Sequence, residues 1–488
     1  MVSKDQLANT IWSACDIMRR DDGTTGIMEY MEQLSWLLFL KQFEAIEQRL
    51  ALQAEFDKRE YSPIIAEEYR WSAWTHLTGD DLIDFIDREL FPYLKKLGGT
   101  PEREIVKRIF EGIRGNRMVS GYNLADVIEK INQVDFNDEG DTHTVSLVYE
   151  DLLSRLGREG GIAGEFYTPR PIIEFMVQVI DPQIGETIYD PFVGSAGFLV
   201  ESYKHMSTSR DLTIKDYDWL QRRAFWGQEK KPLPALLGMM NMLLHGVLAP
   251  NMIRTNTLEE NNRNVPPDRR FDVVLTNPPF GGTENPQVQS NFQVQVTNTE
   301  LLSLQHVMSH MKIARHARCG IVVPEGILFR GDAFATVKED LLRTFNVYAI
   351  VSLPAGVFAN VTSSGTGPKT DLIFFDRSGP TREIWYYEAH AVGYTLTKTQ
   401  RPIAENDLPE ALEALRERRI IEGKSWVVPV EGIVERGYDM TARNPYGNGD
   451  MLIRRTPEEI AASIADKETR IAELIGEIQD LLEGSEYE

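Results

Sequence analysis

Segments with strand composition alternate with helical segments between residues 187 and 376, and this alternation constrains the fold more than any other feature. The strand-like segments are rich in β-branched and aromatic residues, and long amphipathic or apolar segments separate several of them. The predicted strands are Thr187–Asp190, Ala224–Glu229, Phe271–Thr276, Gly320–Val323, Tyr348–Leu353 and Asp371–Asp376, and the predicted helices include Pro232–His245, Leu301–His316 and Asp332–Thr344. Strands that alternate with helices form a parallel sheet covered on both faces. We therefore expect an α/β fold with a doubly wound, mostly parallel sheet.

The chain on either side of this region has a different pattern. Before residue 150, apolar residues recur at helical spacing, as at Ile27, Met31, Leu34 and Leu38. After Pro445 they return in the three-four rhythm of a helix with a coiled-coil-like seam, at Ile471, Leu474, Ile478 and Leu481. The predicted domains are a helical amino-terminal domain, an α/β domain and a helical tail, at 1–155, 156–445 and 446–488. The tail would contact another subunit or pack on its own chain, since two heptads do not decide between the two.

Composition excludes several classes of protein. The 488 residues include two cysteines, which cannot form a disulfide framework and lack further cysteines or histidines at zinc-finger spacing. The longest apolar stretch, 235–249, contains Asn241 and His245 and is shorter than the roughly 18 residues of a membrane span. The first residues lack the apolar core of a signal peptide. We expect a cytoplasmic protein with neither a metal nor a membrane contact.

The most specific chemistry follows the strand predicted at 271–276. This strand runs into Asn277-Pro278-Pro279-Phe280, where two prolines fix φ near about −65° and remove two N–H donors. The acceptors of this rigid loop, the Asn277 side-chain oxygen and the Pro278 carbonyl, would point into the crevice at the carboxyl end of the sheet. Two acceptors that take hydrogen bonds from the N–H groups of an exocyclic amine would localise the nitrogen's conjugated lone pair. The lone pair could then attack an electrophile. Phe280 would stack on the planar group that carries the amine.

A glycine-rich turn follows another predicted strand. The segment Tyr189-Asp190-Pro191-Phe192-Val193-Gly194-Ser195-Ala196-Gly197-Phe198 is typical of a strand, a turn and a helix start. Its glycines let a ligand approach the backbone, and the helix start offers N–H groups. The segment lacks the Gly-x-Gly-x-x-Gly pattern of dinucleotide sites, and the Asp190 carboxylate suits a cationic ligand better than a pyrophosphate.

Two further segments complete the candidate site. Trp226-Gly227-Gln228-Glu229 ends the next strand with a carboxylate, the position from which α/β proteins hold ribose hydroxyls. Phe166-Tyr167-Thr168-Pro169 taken alone predicts only a loop and a helix start.

One segment near the end of the chain resembles the Asn-Pro-Pro-Phe loop but is excluded from the site. Asn444-Pro445-Tyr446 lacks the second proline and the preceding strand, so we interpret it as a turn.

In this order, these segments resemble the S-adenosylmethionine-dependent amino-methyltransferases, and most closely the modification (HsdM) subunit of type I restriction-modification systems. The later segments Gly320–Gly326 and Val351–Phe358 are similar to that family's sheet. The segments Ile11–Asp16 and Leu37–Lys41 are similar to its helical amino-terminal domain. The resemblance covers most of the chain. It implies transfer of a methyl group from S-adenosylmethionine to N6 of adenine in duplex DNA.

The resemblance also implies a role for each site residue. The catalytic loop would be Asn277, Pro278, Pro279 and Phe280, which would hold an adenine flipped out of the duplex. The cofactor-binding residues would be Phe166, Tyr167, Thr168, Asp190, Pro191, Gly194, Ser195, Gly197, Glu229, Asn256 and Thr257. Where the family commonly has an acidic residue near the cofactor's adenine, this chain has Asn256, which can still accept a hydrogen bond from an amino group.

Two other functions stay open at this point. Protein-glutamine methyltransferases also carry an Asn-Pro-Pro-aromatic loop, because a side-chain amide is another conjugated amine. The chain could also be a scaffold that retains the fold without turnover. The large helical flanks favour the DNA enzyme, and the intact loop at 277–280 argues against a scaffold.

The charge of the chain bears on its partners. The 52 Lys and Arg residues against 74 Asp and Glu residues give a formal net charge of −22, which taken alone argues against a nucleic-acid partner. The resemblance implies duplex DNA, a specificity (HsdS-like) subunit and a restriction or translocase (HsdR-like) subunit as partners, with two copies of this chain per complex. A more basic specificity subunit would then supply most phosphate contacts and the base reading. Alone, the chain is expected to bind DNA poorly.

Overall fold

The computed structural model describes residues 4–446, apart from 57, 59, 138, 160–166, 209–211, 360–366 and 398–399. The helical tail predicted for 446–488 lies, beyond Tyr446, outside the described residues. The helices are α1 Lys4–Arg19, α2 Ile27–Phe56, α3 Trp71–Trp74, α4 Gly79–Phe85, α5 Phe91–Leu94, α6 Pro101–Gly112, α7 Gly121–Asn132, α8 Glu139–Glu159, α9 Arg170–Ile180, α10 Gly197–Thr208, α11 Ile214–Arg222, α12 Pro232–Leu244, α13 Pro286–Gln289, α14 Thr299–His310, α15 Gly326–Phe329, α16 Ala333–Thr344, α17 Leu408–Glu417 and α18 Val430–Glu435. A π-helical turn, Ile86–Leu90, joins α4 to α5, and short 3₁₀ turns lie at Glu67–Tyr69, Thr257–Glu259 and Pro267–Arg269.

The strands form one large sheet and one small one. They are β1 Ile188–Asp190, β2 Phe225–Glu229, β3 Asn251–Arg254, β4 Val273–Thr276, β5 Arg318–Pro324, β6 Asn346–Ser352, β7 Thr370–Asp376, β8 Glu383–Glu388, β9 Val392–Tyr394, β10 Pro402–Asn406 and β11 Ser425–Pro429. The large sheet has nine strands in the order β11-β8-β6-β7-β5-β4-β1-β2-β3, and β9 pairs with β10 in a separate ribbon. Strands β7 and β11 are antiparallel to their neighbours, and the other pairs in the large sheet are parallel. The predicted mostly parallel α/β sheet is confirmed.

The strands predicted from the sequence are all present within a few residues of their predicted bounds. One predicted helix is too long, since α14 ends at His310 and not at His316. Met311 adopts an extended conformation and forms a bridge with Phe271, so its backbone groups pair with another segment. Strands β3 and β8 to β11 were not predicted. Strand β3 is only partly buried and β10 is exposed, so neither leaves a hydrophobic pattern that would identify it.

One apolar helix joins the helical part of the chain to the sheet. Residues 236–244 of α12 are all buried, and α12 packs against α2, α6 and α8 on one side and against β2 and β3 on the other. A helix that is apolar on every face is a buried core helix. This accounts for the longest apolar stretch in the sequence. Among the described helices, none has both the length and the hydropathy that crossing a bilayer requires.

One carboxylate, that of Asp272, joins several segments at the amino-terminal edge of the sheet. Asp272, just before β4, accepts hydrogen bonds from the backbone and hydroxyl of Thr187 at 2.9 and 2.8 Å. It also accepts from Lys312 Nζ at 2.6 Å and His316 Nε2 at 2.9 Å. Burial alone would raise the pKa of Asp272, but these donors outweigh burial and lower it to about 2. The ionised carboxylate therefore holds β1 and β4 in register.

We predict that Asp272→Asn lowers the free energy of unfolding by about 2 kcal/mol at pH 7. Because the pKa is lowered on folding, the stabilisation by Asp272 is present above about pH 4 and is lost as the pH falls towards 2. Urea unfolding of both proteins at pH 7 and at the lowest pH where they fold measures this. An equal loss at every pH would contradict the assignment.

Candidate active site

The candidate residues meet where the sheet changes its winding direction. Strands β1, β2 and β3 succeed one another towards one side, while β4 and β5 extend towards the other, and β1 pairs directly with β4. Ligands of doubly wound sheets bind outside the carboxyl ends of the strands at such a switch point. Asp190 ends β1, Glu229 ends β2 and Asn277 follows β4, so all three lie at the same edge of one sheet.

The Asn277 side chain is oriented by a distant segment. Its Nδ2 donates a hydrogen bond to Thr168 Oγ1 at 3.0 Å, across 109 residues of sequence. Its Oδ1 is buried and has no hydrogen-bond partner among the described residues. An unpaired buried acceptor costs about 1 to 3 kcal/mol, and a ligand N–H group at this position would remove that cost. One of the two Nδ2–H donors is thus used within the protein, and the Oδ1 acceptor is left for a ligand.

The end of the loop at 277–280 is held by Glu300, which the sequence did not predict as a site residue. The first described anchor after the two prolines is the Gly281 backbone N–H, which donates to Glu300 Oε1 at 2.5 Å. Glu300 is buried in the first turn of α14, and its Oε2 accepts from Asn298 Nδ2 at 2.6 Å. Asn298, the N-cap of α14, was a sequence signal for the start of this helix, but nothing in the sequence places that start beside the loop.

Gly282 continues this contact between the loop and α14. Its carbonyl accepts a hydrogen bond from Thr299 N at 3.1 Å. A Cβ atom at position 282 would lie 2.5 Å from Thr299 Oγ1. A glycine is therefore required for this close approach of the two backbones.

Asp190 is buried at the centre of the crevice. Its Oδ1 accepts hydrogen bonds from Thr276 Oγ1 at 2.6 Å and from Phe192 N at 3.1 Å. Burial, with a smaller effect from the negative charge of Glu229, raises the pKa of Asp190 to about 7 against the opposing effect of the two donors. A positive charge in the crevice would stabilise the ionised form of this carboxylate.

Glu229 accepts a hydrogen bond from the backbone of the glycine-rich turn. Its Oε2 accepts from Gly194 N at 3.1 Å, and its Oε1 accepts from Lys231 N at 2.8 Å. Burial raises its pKa, although both backbone donors oppose this. Gly194 has φ of 49°, in the left-handed region that favours glycine. A carboxylate has about four acceptor positions, so Glu229 can accept further hydrogen bonds from a ligand.

Asn256 and Thr257 line a cleft of about 210 Å³. Thr257 Oγ1 donates to the Pro191 carbonyl at 2.5 Å, so this buried hydroxyl fixes the turn after β1. Asn256 Nδ2 donates a hydrogen bond to Glu259 Oε1 at 3.1 Å, and this bond leaves Asn256 Oδ1 unused. The cleft is lined by Pro191, Phe192, Gly194, Gln228, Glu229, Lys230, Lys231, Asn256, Thr257, Leu258, Asn277, Pro279, Gly282, Thr283, Glu284 and Thr299.

Of the remaining predicted residues, Thr168, Ser195 and Gly197 line a small cavity with Asp190 and Asn277, and Phe166 lies outside the described residues. Tyr167 and Thr168 line a second cavity of about 50 Å³ together with Ser195 and Gly197. Ser195 accepts a hydrogen bond at its carbonyl from Asn241 Nδ2 at 2.9 Å. Phe280 packs edge to face on Phe358, with ring centroids 5.6 Å apart. Asn444 donates to Glu388 Oε2 and to the Gly423 carbonyl, as expected for a structural turn.

The two cysteines do not take part in this site. Both are buried, and burial raises the pKa of Cys15 to about 12 and that of Cys319 well above its usual value. A buried thiol that stays protonated is a poor nucleophile.

Comparison with known proteins decides the family. Residues 140–451 match the family model of the N-6 DNA methylases, and residues 7–131 match that of the HsdM N-terminal domain. The chain belongs to the N-6 DNA methylase family. The predicted enzyme class, an adenine-specific DNA methyltransferase of type I restriction-modification systems, is confirmed. These matches do not support the glutamine-methylating alternative.

Relatives match this DNA methylase along almost its whole length. The EcoEI type I restriction enzyme methylase subunit of Escherichia coli is 35% identical, covering 98% of this chain and 97% of the relative. A chain in a structure on complex assembly and conformational transition of the type I system is 49% identical, with a TM-score of 0.82 and 99% of each chain covered. A modification subunit of a putative type I restriction enzyme from Vibrio vulnificus YJ016 is 36% identical, with a TM-score of 0.79, covering 91% of this chain and 98% of that one.

We predict that Asp190→Asn stabilises the ligand-free methylase at pH 8. Because the pKa of Asp190 is raised from 3.8 to about 7 on folding, its carboxyl costs no stability below pH 4 and an increasing amount up to pH 7. The asparagine oxygen can still accept from Thr276 and Phe192. The variant should therefore unfold with a free energy about 2 to 4 kcal/mol higher than the parent at pH 8 and with a similar one at pH 4. Denaturant titrations at both pH values test this, and a less stable variant at pH 8 would contradict it.

We predict that Glu300→Ala slows methyl transfer by about tenfold or more, because the Gly281 N–H then loses its acceptor and the loop its anchor. The unpaired N–H should also lower the stability by about 1 to 3 kcal/mol. Glu300→Gln keeps an acceptor oxygen and should restore most of the rate. Initial rates and melting curves of the three proteins are the measurement. If the glutamine variant is as slow as the alanine variant, the anchoring role is wrong.

Proposed function

We propose that the crevice binds S-adenosylmethionine and that the loop Asn277–Phe280 presents to it N6 of an adenine flipped out of duplex DNA. The observation that carries this proposal is the buried Asn277 Oδ1, which lacks a hydrogen-bond partner among the described residues. It lies at the same sheet edge as the buried carboxylates of Asp190 and Glu229. An acceptor for an amine and acidic groups for a cation suit the two reactants of methyl transfer from a sulfonium.

The donor set fits this cofactor. Bound S-adenosylmethionine would supply an electrophilic methyl group on a sulfonium. Asp190 would ionise fully beside the positive charge, and Glu229 would accept hydrogen bonds from the ribose hydroxyls. Asn256 Oδ1 would accept from the amino group of the cofactor's adenine. The other residues that we propose to bind the cofactor are Phe166, Tyr167, Thr168, Pro191, Gly194, Ser195, Gly197 and Thr257.

The target adenine would be held by the catalytic loop. Asn277 Oδ1 and the Pro278 carbonyl would accept hydrogen bonds from the two N6–H groups, which localises the nitrogen lone pair towards the methyl donor. As N6 gains the methyl group it would lose one proton to water, and the donor would leave as a neutral thioether. Pro279 fixes the loop backbone, since its ring locks φ. Phe280 would stack on the base, and its contact with Phe358 sets the orientation of the ring. Positioning does most of the work, because the methyl donor is already reactive.

We also propose the partners of this chain. A net charge of −22 gives the isolated chain little attraction to DNA, so a specificity subunit would supply most phosphate contacts and the base reading. A similar chain occurs in a structure on type I complex assembly, which supports a complex with specificity and restriction subunits. We propose two copies of this chain in that complex. It would act in the cytoplasm, where its DNA substrate is.

We predict that Asn277→Ala binds S-adenosylmethionine almost as tightly as the parent but transfers methyl groups at least about a hundredfold more slowly. Removing the amide removes the acceptor for N6 and leaves Asp190 and Glu229 unchanged. The complex with the specificity subunit is given labelled cofactor and unmethylated DNA, and cofactor binding is measured by calorimetry.

Asn444→Ala is the matched control, because it alters an Asn-Pro sequence in a structural turn. It should transfer at the parent rate at temperatures where it is folded. Retained transfer by Asn277→Ala would remove Asn277 from the catalytic role, and a complete loss of cofactor binding would show that it acts on the cofactor.

A further inference from the structure

A short projection follows β5 at the carboxyl edge of the sheet. It consists of α15, Gly326–Phe329, and the turn that leads to α16 at Ala333. Strand β5 is the parallel neighbour of β4, with Thr276 paired to Ile321. Both strands therefore end at the same edge, and the projection follows the strand next to the one that leads into the loop at 277–280.

The projection turns one aromatic side chain to solvent. Phe329 is 55% exposed, whereas the two preceding residues, Ile327 and Leu328, are 2% and 0% exposed. Arg330, the next residue, is also exposed. The buried pair anchors the segment in the core, and the phenyl ring and the guanidinium extend together from that anchor.

One buried lysine fixes the backbone on both sides of Phe329. Lys338 Nζ, 1% exposed as a residue, donates to the Leu328 carbonyl at 2.5 Å and to the Arg330 carbonyl at 2.9 Å. Met440 N also donates to the Leu328 carbonyl at 3.1 Å. Burial lowers the pKa of Lys338 to about 8. A buried ammonium is costly unless it is well bonded, so the carbonyls on either side of Phe329 are firmly held.

The turn after Arg330 is also constrained. Asp332 has φ of 51°, a left-handed conformation that a residue with a side chain rarely adopts. Such strain persists only where the surrounding structure holds it, and it is concentrated at functional sites. The Arg330 guanidinium lies 4.9 Å from the centre of the Phe334 ring, which directs it along the projection. The exposed aromatic is thus pre-organised and not a loosely attached side chain.

We propose that Phe329 enters the DNA duplex at the place that the flipped adenine vacates, and that Arg330 binds a phosphate of the same strand. This inference rests on the proposed function, since it needs a flipped base at Asn277. Removing a base from the stack costs a few kcal/mol, and an inserted apolar side chain recovers part of that cost by stacking. An arginine beside the insertion point positions the backbone without reading sequence.

The test uses the complex of this chain with its specificity subunit, after sequencing of methylated adenines has located the recognition site. One duplex carries the target adenine opposite thymine, and a second carries it opposite an abasic position, where the base is already unpaired. Phe329→Ala should reduce kcat/KM on the paired duplex by about tenfold and leave the abasic duplex almost unaffected. Phe329→Trp should restore the rate on the paired duplex. Tyr217→Ala is the matched control, because Tyr217 is 50% exposed on α11, which leads to the opposite end of β2.

Arg330→Gln tests the phosphate contact. It should reduce the slope of log K against log salt by about one, because one phosphate contact is lost. An equal loss on both duplexes for Phe329→Ala, or a failure of that variant to assemble with the specificity subunit in gel filtration, would overturn the proposal. Absence of transfer to either duplex by the parent complex would instead contradict the proposed function, so the two failures are distinguishable.

Discussion

The hydrogen bond from Asn277 Nδ2 to Thr168 Oγ1 is the interaction on which the candidate site depends. Two prolines remove backbone N–H donors from the loop at 277–280. The loop is therefore held by the Asn277 side chain and by the Gly281 N–H at its end. Thr168 takes the Asn277 donor, and Glu300 takes the N–H of Gly281. The remaining acceptor, Asn277 Oδ1, is therefore the group that the fold leaves for an incoming N–H bond.

The electrostatics of the crevice follow from its depth. Burial raises the pKa values of Asp190 and Glu229, so the ligand-free protein holds acidic groups that a cation would help to ionise. The buried carboxylates and the net charge of −22 bear on different ligands, the cofactor and the DNA. The buried carboxylates suit a cationic cofactor, whereas the net negative charge gives the isolated chain little attraction to DNA, which we propose that a partner supplies. A short basic and aromatic projection at Phe329 and Arg330 would be enough for a local contact once that partner has placed the duplex.

Much of this arrangement could be predicted from the sequence, for physical reasons that differ between elements. Buried strands such as β4 have a continuous apolar run with a motif at the end, and parallel strands place those ends at one edge. The Thr168 contact could not be derived from the residues, because nothing local links a loop to a side chain 109 residues away. Glu300 was missed because a glutamate in a first helical turn is common as a capping group. The end of α14 was misplaced because pairing of Met311 with Phe271 overrode helical propensity.

The central claim is that Asn277 receives the N6 amine. The most direct measurement is a crystal structure of this chain with its specificity subunit, an unreactive analogue of S-adenosylmethionine and a duplex that contains the target adenine. We expect adenine N6 within about 2.7 to 3.2 Å of both Asn277 Oδ1 and the Pro278 carbonyl, with the analogue between Asp190 and Glu229. An adenine that enters the crevice with N6 turned away from Asn277, or an analogue bound elsewhere, would contradict the account.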